Sequence, residues 1–195
     1  MKVSLLPPFY KIFDIYQPNV ICEIGTHDAK TAVQFVDYCI GLNPKLKYVG
    51  YDIFDDVKNN ADFHKKEING KGAGKLSTAK NNLNHRQRKY KKFTYKLIKG
   101  FTHDTLNESK YDFVYIDGGH SYETVKNDYN KLSQSTVIVF DDYQTDGVKK
   151  FFDELVKSKK ITKVTWEEAF TAPKPCWCFL PHMRSKHIQP VIFNA

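Results

Sequence analysis

The chain has 195 residues, 41% of them hydrophobic, which is typical of one globular domain and excludes a largely disordered protein. No apolar run approaches the roughly 20 residues that span a bilayer, and the N-terminus lacks the apolar core of a signal peptide. The net charge is +8, but ten Lys or Arg and a single acid, Glu67, lie within residues 65–92, and the rest is near neutral. We therefore predict one cytoplasmic domain over residues 1–195 with one basic segment.

Strand-like and helix-like patterns alternate along the chain. Short apolar or alternating runs predict strands at 20–24, 48–52, 93–98, 111–116, 135–140, 161–166 and 176–180. Apolar residues at helical spacing predict helices at 28–41, 121–133 and 147–158, and a further helix within 1–18. This alternation predicts a doubly wound α/β domain with a mostly parallel sheet. We expect seven strands with an antiparallel last strand, the final two being compatible with an antiparallel pair, and no regular element within 182–195.

The connection between the second and third predicted strands is unusually long. Residues from about 57 to 92 exceed the usual loop of an α/β unit, and glycines at positions 70, 72 and 74 favour a flexible middle. We expect this basic insert to be part helix and part mobile lid. Its charge fits either a solvated surface loop or an electrostatic surface for an anionic substrate.

The four cysteines follow structural patterns. Cys22 and Cys39 lie in apolar stretches and are predicted to be small core residues. Cys176 and Cys178 alternate as in a strand, and no second Cys/His pair stands at zinc-ligand spacing. The sequence therefore predicts reduced thiols without a metal.

Two of the predicted strands end in carboxylates, one at Asp117 and the other at Asp141 and Asp142. In a parallel sheet, ligands bind beside the carboxyl ends of the strands, so adjacent strands would bring these side chains together. Three converging carboxylates repel one another unless a cation or protons neutralise them, and oxygen ligands favour Mg²⁺, Ca²⁺ or Mn²⁺. Because His120 lies three residues after Asp117, the pattern predicts a cation site with a base beside it.

The segment from Glu23 to Thr31 follows the first predicted strand and opens a helix. Gly25 permits a tight turn and a close approach of a ligand to the backbone. The further glycines that would admit a pyrophosphate are missing, so the loop suits a different ligand. Asp52 ends the next strand, where an acid can accept hydrogen bonds from a ribose diol.

Together these motifs resemble the class I S-adenosylmethionine-dependent methyltransferases. Within that superfamily the chain is similar to the metal-dependent macrolide-sugar O-methyltransferase and cephalosporin-hydroxylase-type group. The shared elements, in chain order, are Glu23-x-Gly25-Thr26, Asp52, Asp117-Gly-x-His120-x-Tyr122 and Asp141-Asp142. The resemblance covers about residues 19–156. It implies a Rossmann-like fold and the transfer of a methyl group to a hydroxyl of a small molecule or sugar.

The resemblance also implies which residues surround the cofactor. The matching positions are Glu23, Gly25 and Thr26 for its methionine part, Asp52 for its ribose, and Gly100, Phe101 and Thr102 for its adenine. The family often has glycine where this chain has Ala29, a departure that allows a weaker cofactor site.

The same resemblance implies the cation ligands and the catalytic residues. Asp117, Asp141 and Asp142 would hold a divalent cation, usually Mg²⁺. Asp117 would also lie beside the cofactor and form the catalytic pair with His120, the candidate general base. A cation bound by the acceptor hydroxyls would orient them and lower their pKa.

Simpler interpretations of these residues remain open. Asp142 could only cap the next helix, His120 could be a helix-start residue bonded to the backbone, and the carboxylates could serve structure alone. Two other functions are also open. One is a nucleic-acid methyltransferase that uses residues 65–92 for phosphate contacts and base stacking. The other is a non-catalytic module that binds the cofactor. The sequence predicts no membrane partner, leaves the acceptor open, and is compatible with a homo-oligomer.

Overall fold

The computed structural model of the protein describes residues 7–56, 67, 72–159, 162–163, 165, 167–171, 176–180 and 189–194. Within these ranges the helices are α1 (Pro7–Tyr16), α2 (Lys30–Leu42), α3 (Leu76–Lys89), α4 (Thr102–Thr105), α5 (Tyr122–Leu132) and α6 (Asp146–Lys159). The strands are β1 (Val20–Ile24), β2 (Lys47–Asp52), β3 (Thr94–Lys99), β4 (Phe113–Ile116), β5 (Val137–Phe140), β6 (Thr162–Lys163), β7 (Cys176–Leu180) and β8 (Gln189–Phe193). Among the described helices, none has the length and apolarity that a membrane crossing requires.

The strands form one sheet in the order β3-β2-β1-β4-β5-β8-β7-β6. Neighbouring strands are parallel except at β8, which runs antiparallel to both β5 and β7. The chain order reverses between β1 and β4, and a doubly wound sheet opens its ligand crevice at such a switch point. The predicted doubly wound α/β fold and its antiparallel last strand are confirmed.

The strand count of seven is wrong, because the described part of the chain contains eight. The additional strand, β8, lies within the tail 182–195 for which we predicted no regular element. Its local signal is weak because Pro190 has no N–H for the ladder and only three apolar residues follow it. The expected antiparallel pairing of the preceding two strands is also wrong, since β6 and β7 are parallel. Residues 164–175 between them are long enough for the crossover that a parallel pair needs.

Helices cover both faces of the sheet, and each face has its own apolar core. Phe9 of α1 and Phe35 of α2 pack against one face, together with residues of α3. Phe152 of α6 packs against the other face beside residues of α5. Cys39 on the first face and Cys22 on the second are buried free thiols, as predicted for core residues.

The basic segment supplies the crossover between β2 and β3. Its helical part is α3, which buries Ala79 and Leu83 in the core. Arg86 of α3 bonds to Asp37 of α2, with Nη2 and Oδ2 2.9 Å apart. The predicted lid falls mainly on residues 57–66 and 68–71, which lie outside the described residues.

Candidate active site

A cavity of about 320 Å³ opens at the carboxyl edge of the sheet, where β1 to β4 end. The strand ends contribute Ile24, Gly25, Asp52, Gly100 and Asp117. The remaining walls include His27, Glu67, Gly72–Gly74, Phe101–His103, Gly118–His120, Thr124 and Asp128. The cavity therefore lies at the crevice position that the strand order dictates.

The loop after β1 contains three residues with positive φ, which are Gly25, His27 and Ala29. Gly25 has φ 89°, and a Cβ atom there would stand 1.9 Å from the carbonyl oxygen of Asp117, so only glycine fits. Ala29 precedes α2 with φ 60° and ψ 30° and is completely buried. This conformation costs a residue other than glycine roughly 1–2 kcal/mol. Ala29 thus occupies a glycine-type position at an energetic cost, in agreement with its departure from the family pattern.

Glu23 and Thr26 are buried beneath the cavity. The hydroxyl of Tyr48 donates to Oε2 of Glu23 and lies 3.3 Å from Oγ1 of Thr26. Burial raises the pKa of Glu23 to about 8, the hydrogen bond from Tyr48 opposes this rise, and the charge of Asp52 adds to it. Of the three residues assigned to the methionine part of the cofactor, Gly25 is among the described lining residues, whereas Glu23 and Thr26 are not.

Asp52 holds the position expected for a ribose ligand. It ends β2 and lines the cavity. Its Oδ2 accepts a hydrogen bond from the backbone N–H of His27 at 2.7 Å, and its Oδ1 accepts one from Phe54 at 2.6 Å. Burial raises the pKa of Asp52, and these two backbone bonds act in the opposite direction. The carboxylate is therefore fixed at the cavity wall by the loops on either side of it.

The residues assigned to the adenine form one end of the cavity. Gly100, Phe101 and Thr102 all line it. The Phe101 side chain is 42% exposed, and its ring stacks on His103 with centroids 5.3 Å apart. Such an exposed apolar face suits a planar heteroaromatic ring.

Asp117, His120 and Asp142 come together at the opposite side of the same edge. Each offers one ligand atom, and these atoms all lie within 4.8 Å of one another. Nε2 of His120 is 2.9 Å from Oδ2 of Asp142. Asp141 is not part of this group, since its Oδ2 accepts a hydrogen bond from the buried hydroxyl of Tyr115 at 2.7 Å.

The backbone explains why the two neighbouring aspartates separate. Asp141 continues the pleat of β5, so it points to the face opposite Phe140 and meets Tyr115. Asp142 has φ 52°, a left-handed conformation that turns its side chain back towards His120. Asp117 and Asp142 thus come together as predicted, whereas the third member of the group is His120 and not Asp141.

The contact with Asp142 also determines which nitrogen of His120 is available. A carboxylate accepts hydrogen bonds but cannot donate them, so in the neutral imidazole Nε2 carries the proton. Nδ1 then keeps its lone pair; it is buried, and no described residue forms a hydrogen bond with it. Asp142 therefore holds the ring in the form that a general base needs.

Several wall residues were missed by sequence reasoning because distant segments supply them. The carbonyl oxygen of Glu67 accepts from the N–H of His120 at 3.1 Å, and its Oε2 accepts from the N–H of Ser121 at 3.2 Å. On the other side, Nε2 of His27 donates to the carbonyl oxygen of Gly72 at 3.0 Å. The basic segment therefore touches both the loop after β1 and the loop that carries His120. Its run of glycines at 70, 72 and 74 was the only local signal of a close approach.

The sequence matches the model of a family described as a methyltransferase domain over residues 22–143. No curated protein sequence matches this chain at a significant level. A solved calicheamicin methyltransferase, CalS11, also described as a TDP-rhamnose 3'-O-methyltransferase, is similar with a TM-score of 0.63 and 15% identity, covering 95% of this chain and 75% of that chain. An O-methyltransferase from Bacillus cereus in complex with SAH has a TM-score of 0.59 and 15% identity, and the match covers 100% of this chain and 84% of that chain. The O-methyltransferase TomG from Streptomyces achromogenes in complex with SAM has a TM-score of 0.56 and 14% identity. The match covers 99% of this chain and 82% of that chain.

These structural similarities support the fold, and the family match supports the chemistry. The matched residues 22–143 form well over half of the chain and include the loop after β1 and the carboxylates after β4 and β5. The cavity and the His120–Asp142 pair therefore lie largely within the matched region. The protein belongs to this methyltransferase domain family and is an S-adenosylmethionine-dependent methyltransferase.

Proposed function

We propose that the protein methylates a hydroxyl oxygen of a small molecule or sugar, with the help of a divalent cation. The observation that carries this proposal is the state of His120, whose Nε2 is held by Asp142 while the buried Nδ1 has no partner within the described part of the chain. A base held in this way suits an acceptor that loses a proton as it is methylated, as a hydroxyl does. The O-methyltransferases with a similar fold support an oxygen acceptor.

The proposed reaction is an in-line displacement at the methyl carbon. When bound, S-adenosylmethionine would supply an activated methyl group, which the acceptor oxygen would take from the sulfur. The hydroxyl proton passes to Nδ1 of His120, which later returns it to solvent. Asp142 would stabilise the imidazolium through its contact with Nε2. Removal of the proton by a positioned base contributes about 10²–10⁴-fold to such rates, and alignment of the two reactants contributes further.

The carboxylates of Asp117 and Asp142, beside His120, fit a divalent cation. Two carboxylates provide hard oxygen ligands of the kind that Mg²⁺, Ca²⁺ and Mn²⁺ prefer. Asp117 and Asp142 would hold the ion, and Asp142 would keep one oxygen on Nε2 of His120. The ion would orient the acceptor oxygens and lower the pKa of a bound hydroxyl.

Calorimetric titration with S-adenosylmethionine in a buffer with Mg²⁺ is the first test. Micromolar binding is expected, followed by methyl transfer to members of a panel of sugars, vicinal diols and catechols. EDTA should lower this turnover, and added Mg²⁺ should restore it. Undiminished transfer by metal-free protein would remove the cation from the proposal, whereas the absence of binding would contradict the cofactor assignments.

A non-catalytic cofactor-binding module is the alternative that Asp117→Asn tests. In an enzyme this change should abolish most turnover while the folded protein remains, since it removes one charge from the donor set. A protein that only binds the cofactor has no turnover to lose, so its wild-type form would already be inactive on every acceptor in the panel.

Methylation of a nucleic acid is a second candidate, favoured by one observation. Between Glu67 and Asp104 the chain has ten Lys or Arg and no acid. This stretch includes α3 and β3, which is the outermost strand on one side of the sheet, so that side of the domain is basic. A polyanion could bind there through phosphate contacts.

The position of the basic residues makes this candidate the weaker one. Helix α3 begins beside Asp55, at the carboxyl ends of the strands. Its 14 residues carry the chain about 21 Å towards the amino ends of the strands, away from the cavity. Arg86 and Tyr90 lie within the segment expected to contact a nucleic acid, but both bond to Asp37 of α2. RNA binding that weakens steeply with salt, and that is lost in Arg88→Gln/Lys89→Gln together with methyl transfer to RNA, would reverse this order.

A further inference from the structure

The inner wall of the cavity carries a carboxylate that the proposed reaction does not use. Asp128 lies in the middle of α5, has no exposed surface, and lines the cavity. Nδ2 of Asn127 donates to its Oδ1 at 3.2 Å, while its Oδ2 is buried and has no hydrogen-bond partner among the residues that the structure describes. A buried carboxylate oxygen without a donor is unfavourable, so a donor on a bound ligand would complete this group.

The surroundings of Asp128 suit a flat ring. Thr124, one helical turn before Asp128, shares its face of α5 and also lines the cavity. The facing loop, which continues into α4 at Thr102, is held against α5 by Lys131, whose Nζ donates to the carbonyl oxygens of Thr102 and His103 at 3.1 Å each. The partly exposed ring of Phe101 belongs to this loop. A planar ligand packed on the loop would therefore present its edge to α5.

The charge state of Asp128 makes it an acceptor. Burial raises its pKa to about 6, the neighbouring polar side chains of Thr102 and Asn127 and the charge of Lys131 oppose this rise, and the charge of Glu67 adds to it. At neutral pH the group is still mainly ionised, and an ionised carboxylate accepts hydrogen bonds only. It therefore selects for a ring edge that bears an N–H donor.

We propose that Oδ2 of Asp128 accepts a hydrogen bond from the exocyclic amino group of the cofactor's adenine and makes the site selective for that base. This inference rests on the proposed function, because it takes the adenine to lie against Phe101 and Thr102. Hypoxanthine carries a carbonyl oxygen in place of the amino group. That oxygen would face Oδ2 of Asp128, and because both atoms are acceptors they could not form this hydrogen bond. Asp128 is thus a specificity-determining residue for the cofactor.

The test compares two product analogues that differ only at this edge of the base. Calorimetry gives the Kd of S-adenosylhomocysteine and of S-inosylhomocysteine for the wild type, for Asp128→Asn and for Glu123→Gln. The control removes a carboxylate from the exposed face of the same helix. A hydrogen bond to a charged group predicts that the wild type and the control prefer the adenosyl compound at least about tenfold. Asp128→Asn should lose or invert this preference, because its amide can donate to the carbonyl oxygen.

The outcomes separate this inference from the proposed function. If the wild type binds neither compound, the proposed function fails. If it binds both equally, or if Asp128→Asn keeps the wild-type preference, the role of Asp128 is overturned while the cofactor site stands. The wild-type comparison needs no variant, so equal binding overturns the role of Asp128 even if Asp128→Asn does not fold.

Discussion

Nε2 of His120 lies 2.9 Å from Oδ2 of Asp142, and both side chains are almost completely buried. This pair joins the loop after β4 to the loop after β5, which are adjacent parallel strands. Its geometry therefore depends on the sheet register as much as on the two residues. The pair, Asp117 and the cavity lie at the carboxyl edge of the sheet. Substitutions at these positions are expected to separate catalysis, cation binding, cofactor binding and stability.

Replacing His120 by Gln removes the proposed base and keeps a polar side chain. We expect turnover to fall by about 10²–10⁴-fold with little change in affinity for S-adenosylmethionine, because the base acts on the acceptor. Methyl-transfer assays and calorimetry measure the two quantities separately. His85→Gln on the exposed side of α3 is the matched control. Full turnover by the His120 variant would show that another group takes the proton.

Asp141 and Asp142 are neighbours in sequence with different predicted roles. Asp142→Asn should lower turnover by about 10–100-fold and remove the response to Mg²⁺, because it disturbs both His120 and the donor set. Asp141→Asn should keep the Mg²⁺ response and lose about 1 kcal/mol of folding free energy, because it weakens the bond from Tyr115. Turnover at increasing Mg²⁺ concentration measures the cation response of each variant, and urea unfolding measures its free energy of unfolding. Loss of the Mg²⁺ response in the Asp141 variant would place that carboxylate in the cation site.

Glu23 predicts a pH dependence of stability. Burial raises its pKa from 4.5 to about 8, so between these values the folded protein keeps a proton that the unfolded chain has lost. The unfolded state then binds fewer protons, and the free energy of unfolding falls as the pH rises. Glu23→Gln removes this term, so its stability relative to the wild type should increase steadily from about pH 5 to 8. Urea unfolding across this range measures it, with the exposed Glu108→Gln as control. Parallel pH profiles for wild type and Glu23→Gln would contradict the shifted pKa.

Two glycines predict opposite effects of the same substitution. Gly25→Ala places a Cβ 1.9 Å from the carbonyl oxygen of Asp117 at a φ of 89°, so cofactor affinity should fall at least about tenfold and stability by several kcal/mol. Gly41→Ala in α2 would bring the new Cβ within 4 Å of no atom of the described residues, and it should add about 0.5–1 kcal/mol of stability. Calorimetric cofactor titration and thermal unfolding distinguish them. An unaffected Gly25→Ala protein would mean that the loop after β1 does not approach β4 so closely.

Much of the fold was predictable because its signals are local. Strands β1, β2, β4 and β5 are buried apolar runs, and the glycine or carboxylates that follow mark their ends. The parallel arrangement then brings those ends to one edge, which is why Gly25, Asp52 and Asp117 all line the cavity. Strand β8 escaped prediction because its pairing with β5 and β7 comes from distant parts of the chain.

The sequence by itself determined the strand ends, the carboxylates and histidine that follow them, and the family pattern that identifies a methyltransferase. Only the tertiary structure decided which of those side chains meet. The pleat of β5 sends Asp141 to Tyr115, whereas a left-handed turn sends Asp142 to His120. Glu67 reaches Ser121 across 54 positions, and Asp128 meets the cavity through the packing of α5. Spacing along a chain predicts which residues share an edge, but side-chain direction and contacts between distant segments arise only when the sheet and its helices pack together.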